Sequence, residues 1–461
     1  MSATFLQSLF GSIAERSRQW LQAVPVLRSP PSNDSTDPVG VLGGLARNLL
    51  SERGEASGVA LARQVLDLYA TLDDETCRRF FQLLATEFEP DAERVQAAAT
   101  TYLAAPTSAH LRALARAVEP PRQELVRRLN LAPGGTRTLV KMRADLLSVG
   151  KNAQDLSGVD EDLTHLFYSW FNRGFLVLQK ITWSTPASIL ERIIKYEAVH
   201  AIDGWDDLRR RLEPTDRRCY AFFHPSLLDD PLIFVEVALT DDIPQNIGAL
   251  LSDNRDMVDH REATTAVFYS ISNCQLGLRG ISFGNFLIKQ VVEDLSADLP
   301  QIDTFVTLSP VPGFAAWLDR VRTEPSLAYM TAEDIESLDK LAAIGWQHEV
   351  ATVESLRPLL SELVLIYLVH AKSADNRPID PVARFHLGNG AQLERINFLG
   401  DTSPRGLKTA TGFMVNYRYN KATIETNHEE FAHFGTVVTS KELARQLRSL
   451  SIASLVEPAH E

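Results

Sequence analysis

The apolar periodicity changes once along the chain, near residue 180, and that change sets the outline of the fold. From 41 to about 178, apolar side chains recur at i, i+3 and i+4, as in VGVLGGLARNLLSER, GVALARQVLDLYATL and DETCRRFFQLLATEF. Asp73 stands where a helix cap is wanted, and Pro120-Pro121 breaks the run. Beyond 180, SILERIIKYEAVHAI and GWDDLRRRL are still helical. CYAFFHP, PLIFVEVALT and TAVFYSIS are rich in β-branched and aromatic residues and predict strands. Residues 315–372 return to helix, RFHLGNGAQLERINF and GFMVNYRYN are strand-like, and SKELARQLRSL closes as a helix. The pattern predicts an α+β protein: an all-helical bundle over 1–180, then a mixed α/β domain over 181–461 with a helical insertion. Phe5, Leu6, Leu9, Phe10 and Ile13 predict a packed or partner-facing helix, and the Ser-, Pro- and Asp-rich stretch 28–40 a loop.

Charge narrows the function classes. The 461 residues hold 59 acidic and 46 basic side chains, a net charge of -13, which argues against coating nucleic acid. Three cysteines, Cys77, Cys219 and Cys274, are too few for a disulfide framework or a cysteine zinc site. The longest apolar stretch, Leu359 to Val369, is too short for a bilayer and carries Glu362, so no membrane span is expected. A reducing, cytoplasmic setting fits this cysteine usage.

Four stretches could carry chemistry. In GLRGISFGNFLIKQVV, Gly277, Gly280 and Gly284 fall between a strand and a helix start, with Arg279 beside them. Unpaired N–H groups at a helix start and close backbone approach at glycine suit a phosphate. The spacing is neither a Walker loop nor a Rossmann fingerprint, and a plain strand-to-helix turn also wants glycine. In LSPVPGF, Ser309 follows a strand directly, as a turn former or as a hydroxyl presented at the strand end. His386 stands beside a Gly-Asn-Gly turn in a strand-like run, where a histidine is more often structural than a proton carrier. Tyr417 and Tyr419 share one strand face, as ordinary packing residues would. His428 and His433 are five apart, which is not the zincin spacing, so that cluster is expected at a solvated loop or helix end.

Taken together, YEAVH (196–200), RRCYAFFHP (217–225), VALTDDI (237–243), FYSIS (268–272), GLRGISFGNFLIKQVV (277–292), LSPVPGF (308–314), FHLGNGAQLERIN (385–397) and MVNYRY (414–419) resemble malonyl-CoA decarboxylase. The resemblance covers roughly 180–420 in the family's order. It implies a helical oligomerisation domain, giving a dimer or tetramer, and a catalytic domain resembling the GNAT acetyltransferase fold. It implies conversion of malonyl-CoA to acetyl-CoA and carbon dioxide without a metal or organic cofactor. It places the catalytic serine and histidine on Ser309 and His386, and CoA contacts on Arg279, Gly280, Ile281, Ser282, Phe283, Gly284 and Asn285. Tyr417 and Tyr419 are expected to line the malonyl pocket, and His200 of YEAVH is a further candidate read as structural. Some members carry an acidic residue where this chain has Ser282. The closing VEPAHE is not the Ser-Lys-Leu peroxisomal signal, which again favours a cytoplasmic enzyme. A GNAT-type acyltransferase and a silent acyl-CoA sensor remain as other readings.

Overall fold

The computed structural model describes residues 37–51, 54–150, 154–227, 229–281, 287–323 and 330–450. The chain divides into two compact units. One takes in Met1–Val177, Phe223–Leu232 and Cys274–Phe283; the other takes in Leu178–Phe222, Ile233–Asn273 and Gly284–Glu461.

In the first unit the helices are Pro38–Ser51 (α1), Glu55–Tyr69 (α2), Asp74–Glu87 (α3), Ala92–Ala104 (α4), Ser108–Val118 (α5), Pro121–Asn130 (α6), Gly135–Val149 (α7) and Ser157–Trp170 (α8). The stop and start signals in the sequence work as expected. Asp73 accepts a hydrogen bond from the Thr76 N–H, satisfying one orphan donor of α3, and Pro121 occupies the first turn of α6. Leu42, Leu49, Tyr69, Phe80, Phe81 and Leu125 form the buried stripe. Of the loop expected over 28–40, residues 28–36 lie outside the described residues and 38–40 are instead the first turn of α1, which starts at Pro38, where a fixed φ suits a first turn. The helix expected around Phe5–Ile13 lies outside the described residues.

The strands, which lie in the second unit except for Val177, Phe223, Pro231 and Leu232 at their ends, are Val177–Ile181 (β1), Arg217–Phe223 (β2), Pro231–Thr240 (β3), Thr265–Asn273 (β4), Thr304–Thr307 (β5), Ser309–Pro310 (β6), Gln392–Asn397 (β7) and Met414–Arg418 (β8). They form one mixed sheet in the order β1-β2-β3-β4-β5-β8-β6, with β7 paired to β8. β3 and β4 are antiparallel, with a register shift at Glu236/Val237 that leaves Tyr269 as the extra residue of β4. β4 and β5 are parallel, and their register ends at Phe268 opposite Thr307. The helices are Ala187–Tyr196 (α9), Gly204–Leu212 (α10), Ile247–Leu251 (α11), Leu287–Asp298 (α12), Phe314–Thr323 (α13), Ala332–Leu338 (α14), Val350–Val369 (α15), Pro381–Gly388 (α16), Pro404–Ala410 (α17), Ile424–Phe434 (α18) and Lys441–Ser449 (α19). The expected α+β class is therefore what the chain adopts, and α13–α15 form the helical insertion.

Strand alternation decides which side chains face which way. Val267, Val306, Leu308 and Met414 pack with Ile247 and Leu250 in a buried apolar cluster on one face. Thr307 and Ser309, alternating with Val306 and Leu308, project to the other.

One expectation is corrected. The strand-like reading of RFHLGNGAQLERINF fails over its first part, because His386 lies in the last turn of α16 and only Gln392–Asn397 is strand. The helix has its own start signal. Asp380 caps it, accepting from the Ala383 N–H at 2.7 Å, and Pro381 follows at the first helical position. Gly390 ends it with φ +81, where a Cβ would overlap the Ile424 carbonyl oxygen, so only glycine makes this turn.

Candidate active site

Three elements bring one hydrogen-bonded chain together. Ser309 comes from β6, which is paired through Val415 to β8, while Tyr419 follows β8 directly. His386 comes down from α16. Ser309 Oγ donates to Thr307 Oγ1 at 2.9 Å and lies 3.0 Å from His386 Nε2. On the other side of the ring, Nδ1 lies 2.8 Å from the Tyr419 hydroxyl. Tyr417 stacks on the imidazole at a centroid distance of 4.7 Å, and Phe385 meets it edge-on.

The proton positions follow by counting donors. Ser309 has one proton, which is given to Thr307. The Ser309–His386 bond then needs its proton on Nε2, and Nδ1 becomes an acceptor that Tyr419 O–H fills. The chain thus runs Tyr419 to His386 to Ser309 to Thr307. Thr307 Oγ1 also accepts from the Tyr417 N–H at 3.1 Å, and the Asn416 side-chain amide donates to the Thr307 carbonyl at 2.7 Å.

The surroundings are dry. His386 is 3% exposed and Ser309 6%. Burial pushes the imidazole down to about 3, so it is neutral near pH 7. Burial pushes the Tyr417 and Tyr419 phenols well above their usual range, so both keep their protons. An uncharged set of donors in a water-poor site can hold charge that develops on a bound substrate and pass a proton to it.

The family models now give the decisive comparison. The malonyl-CoA decarboxylase C-terminal domain matches residues 174–455, and the N-terminal domain of the same name matches 88–171. The chain belongs to the malonyl-CoA decarboxylase family. The mitochondrial malonyl-CoA decarboxylase of Anser anser anser is 40% identical over 327 residues, covering 65% of this chain and 64% of that protein. The Rattus norvegicus protein is 37% identical over 330 residues, covering 66% of each. The match therefore spans just under two thirds of these curated relatives. The crystal structure of malonyl-CoA decarboxylase from Rhodopseudomonas palustris is similar at 52% identity and TM-score 0.86, covering 88% of this chain and 99% of that one. That from Agrobacterium vitis has 53% identity, TM-score 0.84 and the same coverage.

The other residues of the family motifs fall in different places. Tyr417 and Tyr419, expected to line a pocket, are packed on His386 itself. Arg279, Gly280 and Ile281 belong to the first unit, while Ser282, Phe283, Gly284 and Asn285 lie outside the described residues. His200 lines a cleft of about 380 Å³ with Asp401, Ser403 and Arg405, and burial pushes it down to about 4. Glu197 of YEAVH is buried and fully used: it accepts from the Val199 and His200 N–H groups and from Ser270 Oγ (2.7 Å) and Ser272 Oγ (3.1 Å) of FYSIS. His428 sits on α18, with Nδ1 2.7 Å from the Gly388 carbonyl oxygen at the end of α16. No group of three or more potential metal ligands occurs among the described residues. No described helix is long and apolar enough to cross a membrane.

Sequence reasoning missed Thr307, Asp380 and Asn416. Thr307 was within reach, because two residues before Ser309 in a strand is the same face. Asp380-Pro381 is an ordinary helix-start signal. Asn416 carried no local signal.

Proposed function

We propose that the chain decarboxylates malonyl-CoA to acetyl-CoA and carbon dioxide. The observation that supports this most is the Ser309–His386 contact, closed by Thr307 and Tyr419, in a buried and uncharged setting. In the reaction the carbon–carbon bond to the carboxylate breaks and its electron pair enters the thioester as an enolate. The negative charge moves from the carboxylate to the thioester oxygen. A dry, neutral site hydrates the carboxylate poorly and offers donors where the charge arrives. The Ser309 hydroxyl turns from Thr307 to the substrate, orients the carboxylate and, backed by His386 Nε2–H, returns one proton to the enolate carbon. Solvent restores that proton, so each turnover consumes one proton and releases one carbon dioxide.

The sheet supports an acyl-CoA ligand. β4 runs on to Asn273 beyond Phe268, its last residue in register with β5. An extended chain bearing amides, such as the pantetheine arm, can pair with a strand edge of this kind. This is the role the GNAT-like reading gives the domain. Arg279, Gly280 and Ile281, and with them Ser282, Phe283, Gly284 and Asn285 of the same motif, are assigned to the CoA moiety in this reading. Self-association through the helical unit, as a dimer or tetramer, belongs to the same reading, as does a cytoplasmic location. α4 buries none of its residues, and Leu103, Leu111 and Val118 of the α4–α5 pair are exposed, as an interface would have them.

The test is incubation of the purified protein with malonyl-CoA alone. Equal amounts of acetyl-CoA and carbon dioxide are expected, without added metal or acceptor. Unchanged malonyl-CoA refutes the reading.

A further inference from the structure

We propose that Arg143 and Tyr168, on helices α7 and α8, are positioning residues that set the backbone of the glycine turn for the phosphate-bearing half of a CoA thioester. This rests on the reading that the turn contacts CoA. It gives the helical unit a part in substrate recognition beyond self-association.

The turn is built onto the helices. Cys274–Phe283 belongs to the helical unit although it follows β4 in sequence. Gly277 is pressed so closely on α7 that a Cβ there would overlap the Val140 carbonyl oxygen. Arg143 is 4% exposed and is held by Asp160, its Nε donating to Oδ1 at 2.8 Å. From that fixed position Nη1 donates to the carbonyl oxygens of both Gly277 and Arg279, each at 2.8 Å. The Tyr168 hydroxyl donates to the Gly280 carbonyl at 2.9 Å.

Three carbonyls of one short turn are thus captured by side chains of two helices. Carbonyl oxygens carry partial negative charge and repel a phosphate placed near them. A buried guanidinium and a phenol take that charge up on the helical side. The Arg279 side chain is exposed on the turn, where a cation can meet a phosphate. A clamp that only glued the turn to the bundle would give no preference among substrates; a clamp that sets the phosphate site must.

Tyr168→Phe is the test, because it removes one hydroxyl at a half-exposed ring and leaves the packing in place. Turnover is measured with malonyl-CoA and with malonyl-pantetheine, which keeps the reacting thioester and lacks the nucleotide and its phosphates. The loss of one hydrogen bond should raise KM for malonyl-CoA about threefold to tenfold with kcat unchanged. The kcat/KM for malonyl-pantetheine should stay at the wild-type value. Arg143→Lys, which cannot reach both carbonyls and Asp160 together, should give the larger effect of the same kind. Equal losses with both thioesters, a fall in kcat at constant KM, or no change in Tyr168→Phe overturns the proposal. A wild-type protein that releases no carbon dioxide from either thioester overturns the decarboxylase reading instead.

Discussion

The Tyr419 hydroxyl lies 2.8 Å from Nδ1 of His386, across the ring from Ser309. Burial keeps the phenol protonated, so it is a permanent donor to Nδ1. That one bond selects the tautomer with its proton on Nε2, facing the serine. The stacked Tyr417 ring fixes the plane of the imidazole.

Removing that donor should therefore damage turnover more than binding. Tyr419→Phe keeps the ring and loses the hydrogen bond, leaving a buried acceptor unpaired at a cost of about 1–3 kcal/mol. A fall in kcat of about tenfold to a hundredfold is expected, with KM for malonyl-CoA little changed. Steady-state kinetics read this directly. An unaltered kcat would mean that Tyr419 does not set the tautomer.

Thr307 closes the other end of the chain. Thr307→Val keeps the shape of the side chain and removes the acceptor for both Ser309 O–H and the Tyr417 N–H. Two buried donors lose their partner, so a loss of about 1–3 kcal/mol in urea unfolding is expected, along with a reduced kcat. Thr307→Ser, which keeps the oxygen, should recover most of the turnover.

Much of this arrangement was legible in the chain, for reasons that differ by residue. The helical unit followed from periodicity and caps, since Asp73 and Pro121 act through neighbours within a single turn. Ser309 and His386 each stood out locally, but their pairing came only through the family motifs, because 77 residues separate them and local chemistry says nothing of their contact. His386 was misread as strand because the Gly-Asn-Gly turn drew more weight than Asp380-Pro381, the signal that starts its helix. The division of the chain was the least legible. Nothing local in GLRGISFG says that the turn is held by Arg143, more than a hundred residues earlier.

Burial of His386 should appear in the pH dependence of stability. Folded, it takes a proton only near pH 3, whereas in the unfolded chain it does so near 6.5. Between those values only the unfolded chain carries the proton. The stability tied to this group is thus whole above about pH 6.5 and is lost as pH falls towards 3. The slope is about 1.4 kcal/mol per pH unit. His386→Asn removes it, so the wild-type-minus-variant difference, from urea midpoints between about pH 6.5 and 4.5, should shrink at that rate as pH falls. A pH-independent difference would place the folded-state proton uptake of His386 near its ordinary value.

Asp380 tests whether the start of α16 controls the histidine at its far end. One carboxylate oxygen accepts from the Ala383 N–H at 2.7 Å and the other accepts from the Tyr367 hydroxyl at 3.2 Å. Tyr367 belongs to α15, so this single side chain both caps α16 and ties it to its neighbour. Asp380→Ala removes the cap and leaves the buried Tyr367 hydroxyl without its acceptor, a combined loss of about 2–4 kcal/mol. Asp380→Asn keeps the oxygen that caps Ala383, and its amide nitrogen can donate to the Tyr367 hydroxyl oxygen with that bond reversed, so it should lose less than half as much. If α16 fixes the imidazole, kcat should fall in step with stability, most in the alanine variant and least in asparagine. Thermal unfolding and kcat measured on the same preparations decide it: a destabilised Asp380→Ala protein that retains full turnover would show that Tyr417 and Tyr419 alone hold the ring.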